Sequence, residues 1–232
     1  MTVLTIIQDT CGRLGLQIPA AIFSSTDEQV IQFRSLLNAS GKSISRIHDW
    51  TFLKKEHTFT TVAADVQTGG VPSDFDRYLN HTMFNRTRSE KIYGPLTNFE
   101  WQVDKGGFAG LSIRAAFRFR GGDILITPVP TAGDSIYYEF ITKNWCESAS
   151  GTAQEKFQAD TDISLIDEEL LTKDITWRFL KAKGLDYSEE FQEFQVELAN
   201  FRARDGGARI IDAAQEPNDD VFVNIPDGNW TL

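Results

Sequence analysis

The side chains best suited to metal or nucleophilic chemistry are scarce and scattered: three imidazoles, His48, His57 and His81, and two thiols, Cys11 and Cys146. Structural zinc sites bring such ligands together as short-spaced pairs, and no two of these five residues make one. Each histidine reads as a surface or strand-edge residue in a separate element. The nearest approach to a Gly-x-Ser-x-Gly nucleophile elbow, Gly110-Leu111-Ser112, lacks the second glycine. No phosphate-cradling loop or dinucleotide fingerprint occurs, and the Gly-Gly pairs sit at turns. Glu168-Glu169 and Glu189-Glu190 fall in the first turns of predicted helices, where the positive end of the helix dipole accounts for them. A glycosidase needs two carboxylates facing one bond, and nothing in the spacing singles out a pair. The residues predict no catalytic centre, no cofactor and no metal.

The pattern with binding chemistry is cationic. Ile113, Ala115, Phe117 and Phe119 alternate with Arg114, Ala116, Arg118 and Arg120, so a strand here puts three guanidinium groups on one face. Its plainest reading is the solvated outer face of a half-buried sheet. Arginines so placed could also grip phosphates or acidic surfaces, including carboxylates of a second copy of the chain.

Charge is unevenly placed. Of 33 acidic and 23 basic side chains, residues 160–232 hold 17 acidic against 7 basic, and the remainder balances. This argues against affinity for nucleic acid built on phosphate neutralisation, while permitting surfaces that face DNA and repel it. With 41% hydrophobic and 12% aromatic residues, the 232-residue chain can build a sizeable core. Two unpaired cysteines fit a reducing compartment better than a disulfide framework. The first residues show no basic segment ahead of an apolar stretch, and no apolar run reaches the roughly 18 residues of a membrane span. The four sequons beginning at Asn38, Asn80, Asn85 and Asn229 are therefore taken as chance.

Those residues must be positioned by two kinds of element. Val3, Leu4, Ile7, Cys11 and Leu14 predict a helix stopping at Gly15. Ser25 is placed to cap a second helix, whose stripe of Val30, Phe33, Leu36, Leu37, Ile44 and Ile47 closes at Asp49. The period then changes to two. Asp49-Trp50-Thr51-Phe52-Leu53 and Tyr137-Tyr138-Glu139-Phe140-Ile141 read as aromatic strand signals, with Thr58-Phe59-Thr60-Thr61-Val62 between them. Short strands punctuated by glycine and proline predict an antiparallel sandwich or barrel. Helical spacing returns in Ile166, Leu170, Leu171, Ile175, Trp177 and Leu180, ended by Gly184. A last helix, capped at Ser188, carries Phe191, Phe194, Leu198 and Phe201. The expectation is α+β: N-terminal helices 1–49, an inserted β domain 50–146, a linker 147–161, C-terminal helices 162–206 and an extended arm 207–232.

Several segments in their order resemble a known family. Trp50-x-Phe52-Leu53, Thr58-Phe59-Thr60-Thr61-Val62 and Pro72-Ser73-Asp74-Phe75-Asp76-Arg77 are similar to the sheet region of tailed-phage neck proteins. Pro128-x-Pro130 and Gly133-Asp134-Ser135-Ile136-Tyr137-Tyr138-Glu139-Phe140 are similar to their later strands. Asp162-x-x-x-Leu165-Ile166-Asp167-Glu168, Trp177-Arg178 and Lys183-Gly184-Leu185-Asp186-Tyr187 resemble their closing helix pair. The family is that of head-to-tail adaptors, also called tail tubular protein A or gatekeeper proteins. The resemblance covers about residues 30–205. It implies a virion protein at the head–tail junction, made in the host cytoplasm and built into a ring, commonly of twelve copies, between portal and tail nozzle. DNA would pass through the lumen without tight binding, and no membrane would be involved. It also implies that helices from both ends form one bundle, with the sheet domain inserted between them.

The arm matches no motif of that family. Val221, Phe222, Val223, Ile225 and Trp230 are too apolar for a merely solvated end, and acidic residues and prolines make them poor folders alone. They are expected to dock on a neighbouring subunit or the portal; the plainer alternative is a terminus folded back on its own domain. A different class of function, a tail-associated module recognising carbohydrate or protein through exposed aromatics, stands as the rival, and a hydrolase as a distant third.

Overall fold

Helical periodicity near the N-terminus becomes α1 (Val3–Arg13) and α2 (Glu28–Ile47) in a computed structural model that describes residues 2–106 and 114–206. Thr2 caps α1, and Asp27, not Ser25, caps α2: its carboxylate accepts the Gln29 N–H at 2.8 Å. Ser25 instead accepts the Asp27 N–H, ordering the turn ahead of the cap. α2 stops at Ile47 because His48 is extended.

The aromatic signal at residues 49–53 is not a strand. Thr51–Leu53 is a 3-10 turn, and β1 (Lys54–Thr60) begins only after it. The cause lies in Trp50, which is fully buried and donates its indole N–H to the Ile44 carbonyl at 2.8 Å. The chain must fold back onto α2 before it can extend.

The largest sheet is organised around β8 (Ser135–Thr142). β1 runs antiparallel along one edge, Lys54 opposite Ile141 and Thr60 opposite Ser135. The other edge takes β3 (Phe75–Tyr78) and then β4 (Phe84–Asn85), which pairs with β5 (Glu90–Lys91). A second sheet runs in the order β2 (Val66–Gln67), β7 (Asp123–Thr127), β6 (Ala116–Arg120). Phe59, Ile136, Tyr138 and Phe140 from the first sheet and Phe117, Ile124 and Ile126 from the second share one hydrophobic cluster. Burying such a side chain contributes about 1.5–3 kcal/mol, so this cluster is what holds the two sheets. Neither sheet closes into a barrel among the described residues, so that half of the sandwich-or-barrel expectation is corrected. The strands are too short and too interrupted to wrap, several pairing over only two residues.

One helix escaped the reading of periodicity. α3 (Asn98–Lys105) lies within the sheet region, begun by a capping box in which Thr97 accepts the Glu100 N–H and Glu100 accepts the Thr97 N–H at 2.7 Å.

Residues 147–161 contain β10 (Ala153–Gln154), which with β11 (Ile163–Ser164) flanks β9 (Cys146–Glu147). Phe157 here is buried, edge-on to Trp145 at 4.7 Å, and Asp160 accepts the N–H groups of Ile22 and Phe23. α4 (Glu168–Lys183) ends at Gly184, whose φ of +73° is the left-handed conformation that favours glycine. α5 (Ser188–Asp205) has no side-chain cap; Ser188 is its first residue, and Asp186 accepts that residue's N–H and hydroxyl. Residues of α1, α2, α4 and α5 make one core, with Phe33 of α2 stacked on Phe179 of α4 at 4.5 Å. Arg13 ties α1 to α4 through two parallel 2.7 Å bonds to Glu169, which hold that carboxyl below its ordinary range.

Candidate functional site

The chain leaves its helical core and returns to it on a single stretch of α2. Trp50, at the departure, bonds the Ile44 carbonyl; Trp145, at the return, lies against Gly41 so closely that a Cβ there would overlap its six-membered ring. Both indoles are buried and stand less than one helical turn apart along α2. Gly41 is therefore a landing place for a tryptophan.

Polar clamps surround this junction. Arg77 of β3 donates to Asp49 at 2.7 Å, to Asp76 at 2.8 Å and to the His48 carbonyl at 2.7 Å. A guanidinium at the carboxyl end of α2 also complements the helix dipole. Asp205, the last residue of α5, accepts the Thr51 N–H and its hydroxyl, the latter at 2.6 Å, and lies 3.5 Å from His48. Asp74 accepts from Lys55 at 3.0 Å and Thr142 at 2.9 Å, joining the start of β1 to the end of β8. Burial would raise the Asp74 carboxyl, but the bonds from Lys55 and Thr142 outweigh it and hold it below its ordinary value. Cys146, next to Trp145, is buried and its thiol is pushed up to about 12, first by burial and then by Asp162. Such a thiol stays protonated and unreactive at neutral pH.

Beside the returning chain lies a groove of about 360 Å³. Lys42 and Arg46, four apart on α2, form one wall, and Lys143, Glu155 and Lys156 the other. Lys143 reaches Glu155 at 3.6 Å, and Asp76 is held by Arg77. Lys42, Arg46 and Lys156 meet no carboxylate at ion-pair distance among the described residues. The apolar stripe of the sequence includes Ile44 but singles out neither Lys42 nor Arg46, and the loop lysines opposite them carry no signal of their own.

The three arginines expected on one strand face do not stand alike, since β6 begins only at Ala116 and Arg114 precedes it. Arg114 and Arg120 are exposed. Arg118 is half-buried, donates to Asn98 at 2.8 Å and lies over the Trp101 ring at 5.5 Å. Ala116, assigned to the solvated side, is buried. The reason is α3, which supplies Asn98 and Trp101 to that face. Ile113, the Gly110-Leu111-Ser112 segment and the arm residues Val221, Phe222, Val223, Ile225 and Trp230 lie outside the described residues.

The histidines are apart. His48 packs edge-on to Trp50, His57 Nε2 bonds the Gly69 carbonyl at 2.9 Å, and His81 sits at a turn with φ of +65°. Among the described residues no cluster of three or more His, Cys, Asp or Glu side chains could hold a metal ion, and no helix is long and apolar enough to cross a membrane. Compared with known proteins, the chain matches no family model and no curated sequence.

Proposed function

We propose that this chain is a subunit of the head-to-tail adaptor ring of a tailed bacteriophage, seated between portal and tail nozzle. The supporting observation is the double landing on α2. Helices from both ends of the sequence share one core, and a sheet-bearing excursion departs at Trp50 and returns at Trp145 onto the same helical turn. The family resemblance implies helices from both ends in one bundle with the sheet region inserted between them, and the shared helical core supports that reading. Such a part suits a ring. The helical core would give each subunit its body, and the excursion is joined to it through Leu53 and Ile141 as well as the two tryptophans.

The distribution of charge suits a conduit. An acidic excess in the last third and balance elsewhere provide no stripe for neutralising phosphates, so duplex DNA slides past without sticking. Twelve copies would form the ring, with the exposed Arg120 turned to carboxylates of the next copy.

The decisive experiment supplies the template. The purified chain should be monomeric by light scattering and should add as a ring to portal-bearing heads, visible as a collar in cryo-electron microscopy. A stable small dimer with a large apolar interface, or failure to add to such heads under any condition, overturns the reading.

A further inference from the structure

Residues 207–232 carry five carboxylates, Asp212, Glu216, Asp219, Asp220 and Asp227, against the single cation Arg209. The groove beside α2 presents the opposite balance, with Lys42, Arg46 and Lys156 meeting no carboxylate among the described residues of a chain whose net charge is −10. Unpaired cations facing one cleft of an acidic protein attract whatever acidic segment is nearest.

The nearest such segment is the chain's own. It begins immediately after α5, whose last residue, Asp205, is fastened to Thr51 and stands 3.5 Å from His48. His48 directly follows α2, and Arg46 lies two residues before it, so the segment starts at the end of the helix that forms the groove wall. Extended, residues 207–232 reach roughly 85 Å, and the distance back along α2 to Lys42 is only about 9 Å. A short tether of this kind gives an effective concentration in the millimolar range, far above that of any second copy in dilute solution.

We propose that the groove lined by Lys42, Arg46, Lys143 and Lys156 is the seat of the acidic C-terminal segment of the same chain. The inference does not rest on the adaptor reading: it concerns the isolated chain and would hold if that chain never met a portal. If both hold, a segment parked in the groove is withheld from other partners until one competes for it.

Zero-length carbodiimide cross-linking of the full chain tests this, because it joins a carboxylate to an amine only where the two touch. An equal mixture of unlabelled and 15N-labelled chains separates links within one chain from links between chains by mass. The expected result is same-chain links from residues 212–227 to Lys42 and Lys156, weakening as salt is raised from 0.05 to 1 M, in keeping with a Debye length that shortens to about 3 Å. Arg46→Gln removes no amine and adds no carboxylate, so it leaves the chemistry of coupling intact. It should nevertheless lower those yields by up to about fivefold, the upper end for one exposed ion pair. Links found only between chains, or spread equally over Lys54, Lys91 and Lys181, or unaffected by Arg46→Gln, overturn the proposal. Failure to build a collar on portal-bearing heads leaves these links in place, so the two ideas fail separately.

Discussion

Glycine within a helix ordinarily costs about 1 kcal/mol relative to alanine, so Gly41→Ala would be expected to stabilise α2. Its surroundings reverse the sign. The added methyl would overlap the ring of Trp145, which is 1% exposed and boxed in by Phe157. Overpacking of this kind typically costs about 1–3 kcal/mol, and urea denaturation of Gly41→Ala should show a net loss of that size. A gain would mean that the indole has room to move. Asp74 offers a second test through pH. Its folded pKa is lowered, chiefly because bonds from Lys55 and Thr142 outweigh desolvation. A depressed carboxylate contributes stability that is fully present above its unfolded value and is lost as pH falls through the folded one. The difference in melting temperature between the native chain and Asp74→Asn should therefore be constant from about pH 8 to 5 and shrink below about pH 4. A difference that grows on acidification would contradict the assignment. Glu169, held down by Arg13, contributes in the same direction but less, because both side chains are 43% exposed and solvent screens the pair.

The turn Thr51–Leu53 depends on a residue more than 150 positions away: Asp205 takes both the Thr51 N–H and its hydroxyl. Thr51 is exposed, so water can replace the carboxylate and Asp205→Ala should cost about 0.5–1.5 kcal/mol, the net worth of such a bond. Hydrogen exchange should quicken at Thr51–Leu53 and in the last turn of α5, while the amides of β8 keep their protection. Uniform quickening across β8 would show that the clamp is global rather than local. Long-range dependence of this kind also decides what the sequence could reveal. α1 and α4 were legible because Val3, Ile7 and Cys11, or Leu170, Leu171 and Ile175, repeat at helical spacing, and Gly184 ends α4 as expected. Residues 49–53 misled because tryptophan and phenylalanine favour strands, and only the tertiary bond from Trp50 to Ile44 overrides that preference. α3 carried its own signal, Thr97-x-x-Glu100, hidden by a single short apolar face within a region of alternation. The order of partners on β8, with β1 along one edge and β3 then β4 on the other, has no local signature. Nor has the groove, since Lys143 and Lys156 come to Lys42 and Arg46 only through the return of the chain at Trp145.

Two cores divide the labour of the molecule: one gathers helices from both ends of the chain, and the other holds two sheets together. Described residues from Val3 to Phe201 supply both cores, and the acidic excess of the chain is concentrated toward its C-terminal end. A segment whose carboxylates meet exposed lysines adds little to folding, because such pairs are worth about 0–1 kcal/mol each and are screened by salt. Its apolar residues, Val221, Phe222, Val223, Ile225 and Trp230, are of the kind that anchor a segment folding on a partner. Ordering such a segment costs several kcal/mol, so the anchors must carry the contact. Deleting residues 208–232 should therefore shift the thermal midpoint by no more than about 3 °C, the change expected for roughly 1 kcal/mol in a chain of this size. The same deletion should abolish addition to portal-bearing heads, scored by sedimentation of heads with bound chain. If the shortened chain unfolds, the segment belongs to the core. If it still builds a collar, docking rests on the described surfaces alone and the arm is not the anchor.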